Sequence, residues 1–419
     1  MDTIFAEATP PGRGGVSIVR LSGPDARRVA EELAGSLPEA RQCYFRNIRD
    51  GSDLIDQALV VRFDYDASFT GEESCEFQLH GAPVVVRRLE AALRQRGIRL
   101  AEPGEFTMRA LLAGRMDLAG VEGLSDLLAA ETEMQRALAV ERSGGALGRL
   151  AEEWREDLIT GGAMITASID FADEEIPDDV TDGVGQIIDR VRQSIEAQLA
   201  GYPANECLRM GFEVAIIGVP NAGKSSLMNA IARREVAIVT DQEGTTRDIV
   251  EFRADIRGLP VTFLDTAGIR ETEDRVEEIG IDRALARADA ADLRIFLGEM
   301  PEGAANLRRG GDLAIETRGD LTGRAGAISS LTGAGIDGLL DRIFELLRER
   351  VSGAGLASNE RQAGAMADAV AALSISSELE PEFLSEAIRE AVYHLQRLVG
   401  RIDVDDYLGQ VFSKFCVGK

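Results

Sequence analysis

An eight-residue stretch, Gly218-Val-Pro-Asn-Ala-Gly223-Lys224-Ser225, constrains this 419-residue chain more than any other feature. It fits G-x-x-x-x-G-K-S, a loop that acts at the junction of a strand and a helix. The flanks supply both, since FEVAII reads as a buried strand and SSLMNAI as a helix. Glycines let backbone N–H groups wrap phosphate oxygens, and the helix N-terminus adds partial positive charge. Lys224 then reaches the β and γ phosphates, and Ser225 offers an oxygen to Mg²⁺. Around the loop, strand-like and helix-like runs alternate, LPVTFLDTAG and IDGLLDRIFELLRERV among them. That alternation predicts a mostly parallel sheet flanked by helices.

Two motifs follow the loop. Asp265-Thr266-Ala267-Gly268 closes the strand-like VTFL some forty residues later. Its carboxylate can hold Mg²⁺ through water, and Gly268 lets the backbone approach a γ-phosphate. Between them, Gly244-Thr245-Thr246-Arg247-Asp248 places two hydroxyls in a polar loop, where a threonine can complete the Mg²⁺ shell. The three together read as a GTPase that switches with its nucleotide. Composition singles out Lys224 further: 43 of the 46 basic residues are arginine, leaving Lys224, Lys414 and Lys419. In a chain that writes arginine wherever a cation suffices, a retained lysine marks a place that needs a compact point charge.

The rest of the composition bounds the answer. At 45% apolar and 28% charged residues, whole-chain disorder is excluded. No apolar run approaches ~18 residues, so no membrane-spanning helix is expected, and MDTIFAEATPPGRGG lacks the features of a secretory signal. The net charge of −26 disfavours a general polyanion binder. Cys43, Cys75, Cys207 and Cys416 lie far apart, and His80 and His394 stand alone. That spacing fits neither zinc nor a disulfide framework, and a cytoplasmic setting is expected.

Along the chain, residues 1–118 read as mixed α/β, with strand-like GVSIVRL, ALVVRF and CEFQLHG and a helix, APVVVRRLEAALRQRG, ending at Gly97. Residues 119–209 turn helical, broken at EEIPDD, with Trp154 as a core residue. Residues 210–349 form the α/β block, and helices return in 350–419. Helices on both sides of the block imply that it is inserted into one helical domain. The expected fold is multidomain: an N-terminal α/β domain, a helical domain and an inserted P-loop domain.

The set GVPNAGKSSLMNAI, GTTRD and DTAG is similar to the TrmE–Era class of P-loop GTPases. The flanks ATPPGRGGVSIVRLSG, SFTGEESCEFQLHG, EPGEFTMRALLAGRMDLAGVEGLSDLL and the terminal FSKFCVGK resemble the MnmE (TrmE) family, over nearly the whole chain. The resemblance implies an N-terminal tetrahydrofolate-binding and dimerisation domain, an interrupted helical domain and an inserted Ras-like G domain. It implies a homodimer that works with an MnmG-type flavoprotein using FAD and NADH. Together they would modify carbon 5 of the wobble uridine of certain tRNAs. The one-carbon unit would come from a tetrahydrofolate (5-formyl or methylene form), with K⁺-stimulated GTP hydrolysis driving a conformational cycle.

The resemblance also implies roles for particular residues. GTP would meet Asn221, Ala222, Gly223, Lys224, Ser225, Ser226, Thr240, Thr245 and Thr246, then Asp265, Thr266, Ala267 and Gly268. On the base side it would meet Thr317, Asp320, Ser329, Ser330 and Leu331. Mg²⁺ would be held by Ser225 and Thr246, and K⁺ by Asn221, Thr240, Gln242 and Thr245, in the place of an arginine finger. Glu277, in ETEDRVEEIG, matches the glutamate that orients the attacking water and joins Lys224 as the catalytic residues; from the residues alone it is an acidic helix face. Folate would lie against Arg20, Glu76, Arg115 and Lys419, a carboxylate for the pterin N–H edge and cations for the folate carboxylates. Cys416 is either a thiol near the one-carbon unit or a packed residue of FCVGK.

One motif departs from the family. Where the family carries N-K-x-D, this chain has Thr317-Arg318-Gly319-Asp320. Thr317 lacks an amide that donates and accepts at once, so weaker GTP affinity is expected, with guanine discrimination kept by Asp320. Arg115 stands where lysine is common. An Era-type ribosome-assembly GTPase would need a basic RNA-binding domain after the G domain, and acidic helices stand there instead. A nucleotide-sensing scaffold with weak hydrolysis would suit the altered guanine motif but not the intact Asn221, Lys224, Thr246, Asp265 and Glu277.

Overall fold

The computed structural model describes residues 1–170, 179–238, 251–265, 285–301, 304–322, 324, 326–374, 381–402, 412, 415 and 418. It divides into two compact units: residues 1–125, 143–155 and 392–419, and residues 126–142 and 156–391. Among the described residues no helix is long and apolar enough to cross a membrane.

The first unit is built on six strands: β1 (Ile4–Glu7), β2 (Val16–Ser22), β3 (Cys43–Asp50), β4 (Asp53–Phe63), β5 (Ser74–His80) and β6 (Arg99–Leu100). Their order is β3-β4-β5-β2-β1-β6, antiparallel throughout except the β1/β6 pair. Alternation decides which face is which. Val60, Phe77, Val19 and Leu21 point into a core covered by α1 (Ala26–Ala34) and α2 (Pro83–Gln95). Proline opens α2, and Gly97 follows its end in the left-handed conformation (φ 78°), as helix boundaries favour. The opposite face carries Phe45 paired with Leu59, and Arg20 paired with Glu76; Phe45 is 64% exposed. Next in the unit come α3 (Glu105–Leu112) and the start of α4 (Leu118–Ala129), where Val121 packs with Phe412 and Phe415. Trp154 is buried, as a core residue should be.

Arg109 of α3 is buried and donates to Glu105 at 2.8 Å, Glu72 at 3.0 Å and Asp2 at 3.0 Å. Burial alone would raise the Glu105 carboxyl. Hydrogen bonds from Arg99, the Glu102 N–H and Arg109 outweigh it and hold that carboxyl down at about 2, against an ordinary 4.5. A carboxyl depressed by folding adds stability above its unfolded value and loses it as pH falls toward the folded one. Acid unfolding should therefore steepen as pH falls from 4.5 toward 2. Glu105→Gln should flatten that part of the curve, as followed by circular dichroism; an unchanged slope would count against this network.

In the second unit the helices are α5 (Glu133–Ser143), α6 (Ala146–Asp170) from residue 156 onward, α7 (Asp179–Ala200) and α8 (Tyr202–Met210). The break expected at EEIPDD falls on residues 174–179, and residues 171–178 lie outside the described residues. The sheet follows: β7 (Phe212–Gly218), α9 (Lys224–Ile231), β8 (Ala237–Ile238), β9 (Glu251–Ile256), β10 (Leu259–Asp265), β11 (Leu293–Leu297) and β12 (Leu313–Ile315). Then come α10 (Gly319–Thr322), α11 (Ile336–Val351), α12 (Glu360–Leu373) and α13 (Pro381–Val399) up to residue 391. Strand order is β12-β11-β7-β10-β9-β8. The four strands from β12 to β10 are parallel, and β9 and β8 add an antiparallel arm. The sheet is thus mixed, because β9 and β10 join by a two-residue turn, Arg257–Gly258, too short for a parallel crossover.

The sheet's two ends of chain lie together. Asn205 of α8 donates through Nδ2 to Gly355 O at 2.6 Å and Ala357 O at 2.7 Å, and Gln198 Oε1 accepts from the Leu356 N–H at 2.8 Å. Gly201 permits this: a Cβ there would sit 2.2 Å from the Gly355 nitrogen. The segment leading into the α/β block and the one leaving it are thus hydrogen-bonded side by side.

Candidate functional site

β7 runs through the middle of its sheet and ends at Gly218, where the phosphate loop begins. A Cβ on Gly218 would lie 2.9 Å from Leu297 O, so glycine is what lets β7 and β11 end this close. Within the loop Asn221 (φ 64°) and Gly223 (φ 98°) adopt left-handed backbone. Asparagine tolerates that conformation better than most side chains. The chain then enters α9 at Lys224. Lys224 is buried, and its Nζ donates to Gly218 O at 2.8 Å and Val219 O at 3.2 Å, so its charge is gathered over the loop. Ser225 Oγ donates to Asp265 Oδ2 at 2.9 Å. Asp265 ends β10, which runs parallel to β7, so the carboxylate arrives at the carboxyl edge of the sheet, where α/β folds bind ligands. Asp265 is 3% exposed, and among the described residues its Oδ1 has no hydrogen-bond partner. A buried, half-satisfied carboxylate beside a serine hydroxyl is a donor set that suits Mg²⁺, all oxygen and one negative charge.

The base motif closes over the same loop. Thr317 Oγ1 donates to Ala222 O at 2.9 Å, and Arg318 Nη2 donates to Asn221 O at 2.6 Å. Two consecutive carbonyls of the phosphate loop are thereby tied to two consecutive residues of the base motif. Asp320 Oδ1 accepts from Ser329 Oγ at 2.7 Å, which fixes the carboxylate's orientation. A cleft of ≈ 510 Å³ results. Asn221, Gly223, Lys224, Ser225 and Ser226 line one side of it, and Thr317, Arg318, Asp320, Ser330 and Leu331 the other. Ala222, Ser329 and Asp265 stand behind that lining and act on it through the bonds just described. The cleft has the size of a small-molecule site and joins an anion cradle to a hydrogen-bonding rim.

A second cluster lies on the first unit. Arg20 Nε donates to Glu76 Oε1 at 2.9 Å, across the β2/β5 pairing. The Arg20 guanidinium also lies 5.7 Å from the ring centres of both Phe69 and Phe106, within cation–π range. Arg115 passes over Gly71, whose left-handed backbone (φ 78°) leaves it room. Gly418 reaches the end of β1, where a Cβ would come within 2.2 Å of Glu7 O. By register Arg20 stands beside Ala6 and Glu76, one residue along β2 from Val19, which pairs with the Glu7 that Gly418 approaches.

A family model described as the MnmE helical domain matches residues 118–416, and one described as the GTP-binding protein TrmE N-terminus matches residues 3–115. The chain is 56% identical over 422 residues to the tRNA modification GTPase MnmE of Paracoccus denitrificans, covering 100% of both chains. This chain belongs to the MnmE family. The protein of the same name from Dinoroseobacter shibae is 47% identical over 431 residues, again covering 100% of both. Among solved structures, an Era variant from Aquifex aeolicus bound to GDP and AlF₄⁻ is 26% identical, with a TM-score of 0.27, covering 38% of this chain and 66% of that one.

Several residues to which the MnmE resemblance assigns roles lie outside the described residues: Thr240, Gln242, Thr245, Thr246, Thr266, Ala267, Gly268, Glu277, Cys416 and Lys419. Sequence reasoning overlooked Phe69 and Phe106, which flank Arg20. They carry no spacing signal, since only the fold of the loop before β5 and of α3 brings them to β2.

Proposed function

We propose that this MnmE-family chain is a K⁺-stimulated GTPase that acts within a tRNA-modifying complex. The observation that carries the reading is the ≈ 510 Å³ cleft shared by the phosphate loop and the Thr317–Asp320 motif. In the proposed mechanism Lys224 leaves its loop carbonyls for the β and γ phosphates, and the loop's backbone N–H groups take the remaining oxygens. Mg²⁺ would be held by Ser225 with Thr246, and Asp265 would act on it through water; the ion would supply positive charge against the phosphates. Asn221 would ligand K⁺ with Thr240, Gln242 and Thr245, and Glu277 would orient the attacking water. Asp320 would accept the guanine N–H groups, held in orientation by Ser329.

The domain scheme proposed is 1–118 for folate binding and dimerisation, 119–209 and 350–419 for the helical domain, and 210–349 for the inserted G domain. Side-by-side chain segments at Asn205 and Gly355 support the insertion. The uncovered face bearing Phe45 and Leu59 supports pairing with a second copy through the first domain. Arg20 and Glu76 share that face; Glu76 would accept from the pterin edge of a tetrahydrofolate, while Arg20, Arg115 and Lys419 would meet its carboxylates. That ligand would supply the one-carbon unit, and Cys416 is a candidate thiol beside it. An MnmG-type flavoprotein with FAD and NADH would complete the reaction at carbon 5 of the wobble uridine, in the cytoplasm.

The test is steady-state hydrolysis of GTP and of ATP by the purified chain, in KCl and in NaCl at equal ionic strength. GTP turnover stimulated by K⁺ is expected. Equal low rates in both salts would transfer the weight to a nucleotide-sensing scaffold.

A further inference from the structure

Two nucleotide-reading segments of the chain are joined by the β9–β10 hairpin. β9 starts at Glu251, directly after the segment carrying Thr240, Thr245 and Thr246. β10 ends at Asp265, which holds the Ser225 hydroxyl at 2.9 Å. The strands pair in continuous register from Leu264 opposite Glu251 to Leu259 opposite Ile256. The two ends of the ribbon are thus joined by unbroken strand pairing, from the nucleotide end to the turn.

That turn is seated on α5. Gly258 has left-handed backbone (φ 94°), and a Cβ there would lie 2.9 Å from Met134 Cγ, so turn and helix are in direct contact. Arg253 Nη1 donates to both oxygens of Glu131, at 3.1 and 3.2 Å, just before α5 begins. Met134 and Leu138 pack against the sheet's core, and Gln135 Nε2 carries the connection on to Leu208 O of α8 at 3.0 Å. Residues 126–142 accordingly group with the sheet in one compact unit, although in chain order they belong among helices.

We infer that the β9–β10 turn and α5 form the relay by which nucleotide state reaches the helices, with Arg253 and Glu131 as the positioning pair that keeps turn and helix in step. This rests on the GTPase reading above and names the regulation of that site. The pair is partly exposed, 55% and 24% by side chain, so breaking it leaves folding largely untouched.

Hydrogen exchange of α5 in the full-length protein tests the relay. The two states compared are GDP, and GDP with aluminium fluoride, both with Mg²⁺ and K⁺. A several-fold change in α5 exchange between states is expected for the parent. In Glu131→Gln and Arg253→Gln proteins the change should shrink to within about twofold, while GTP turnover stays within about twofold of the parent. The charge-exchanged double variant, Glu131→Arg with Arg253→Glu, should restore it, which a merely structural role does not require. Single variants that respond like the parent, or an unresponsive α5 in a parent that hydrolyses GTP, overturn the relay alone. A parent that fails to turn over GTP overturns the relay together with the reading beneath it.

Discussion

Replacing Lys224 by alanine should lower GTP turnover by about 10²–10³-fold, the scale on which one preorganised charged donor acts on a transition state. The argument is geometric. Lys224 is buried at the first turn of α9, with its ammonium over Gly218 O and Val219 O, at the mouth of the cleft. An arginine at this position should not stand in, since a guanidinium is planar and broad where the loop holds a point charge. Lys224→Arg should therefore fail nearly as badly as Lys224→Ala. The check is turnover at saturating GTP in KCl, alongside a melting curve to establish folding. A loss smaller than tenfold in either variant would contradict the assigned role.

Asp320→Asn should exchange guanine for xanthine. An ionised carboxylate accepts from both the N1–H and the amino group of guanine, two charge-assisted hydrogen bonds at about 1.5–3 kcal/mol each. Removing the charge from both, and setting an amide N–H against guanine's amino group, predicts GTP affinity lower by roughly 10²–10⁴-fold. Xanthine carries a carbonyl where guanine carries the amino group, so the asparagine amide donates to it and its oxygen accepts from the ring N–H. Ser329 should still donate to the retained Oδ1, so the side chain keeps its direction. Competition binding of GTP and xanthosine triphosphate decides the matter. Unchanged preference for GTP would mean that Asp320 does not read the base.

The fate of Thr317 separates local from tertiary information. Its place where the family carries asparagine is visible in the sequence, and predicts weaker affinity for GTP. In the fold its hydroxyl is committed to Ala222 O, 95 residues away, and Arg318 beside it to Asn221 O. The pair ties the base motif to the phosphate loop, so Thr317 contributes to the site by holding its two halves together. No spacing rule reveals that, because the partner is chosen by strand order. β12 delivers the motif two strands away from β7, and that order is a property of the whole sheet.

The same division runs through the molecule. The run FEVAIIG, the glycines after it and the helix SSLMNAI dictate a strand, a left-handed loop and a helix N-terminus from nearest-neighbour sterics and backbone hydrogen bonding. Proline at the start of α2 and Gly97 after it set that helix's limits for the same local reason. Those features, with the family-specific blocks, were enough to determine the fold class and the family. What only the tertiary structure decided is contact across long separations: Arg20 set between Phe69 and Phe106, Asn205 fastened to Gly355, and Arg253 paired with Glu131. Such contacts form after strands and helices have chosen their neighbours, and that choice is made by burial of whole apolar faces, a sum over many residues that no short motif contains.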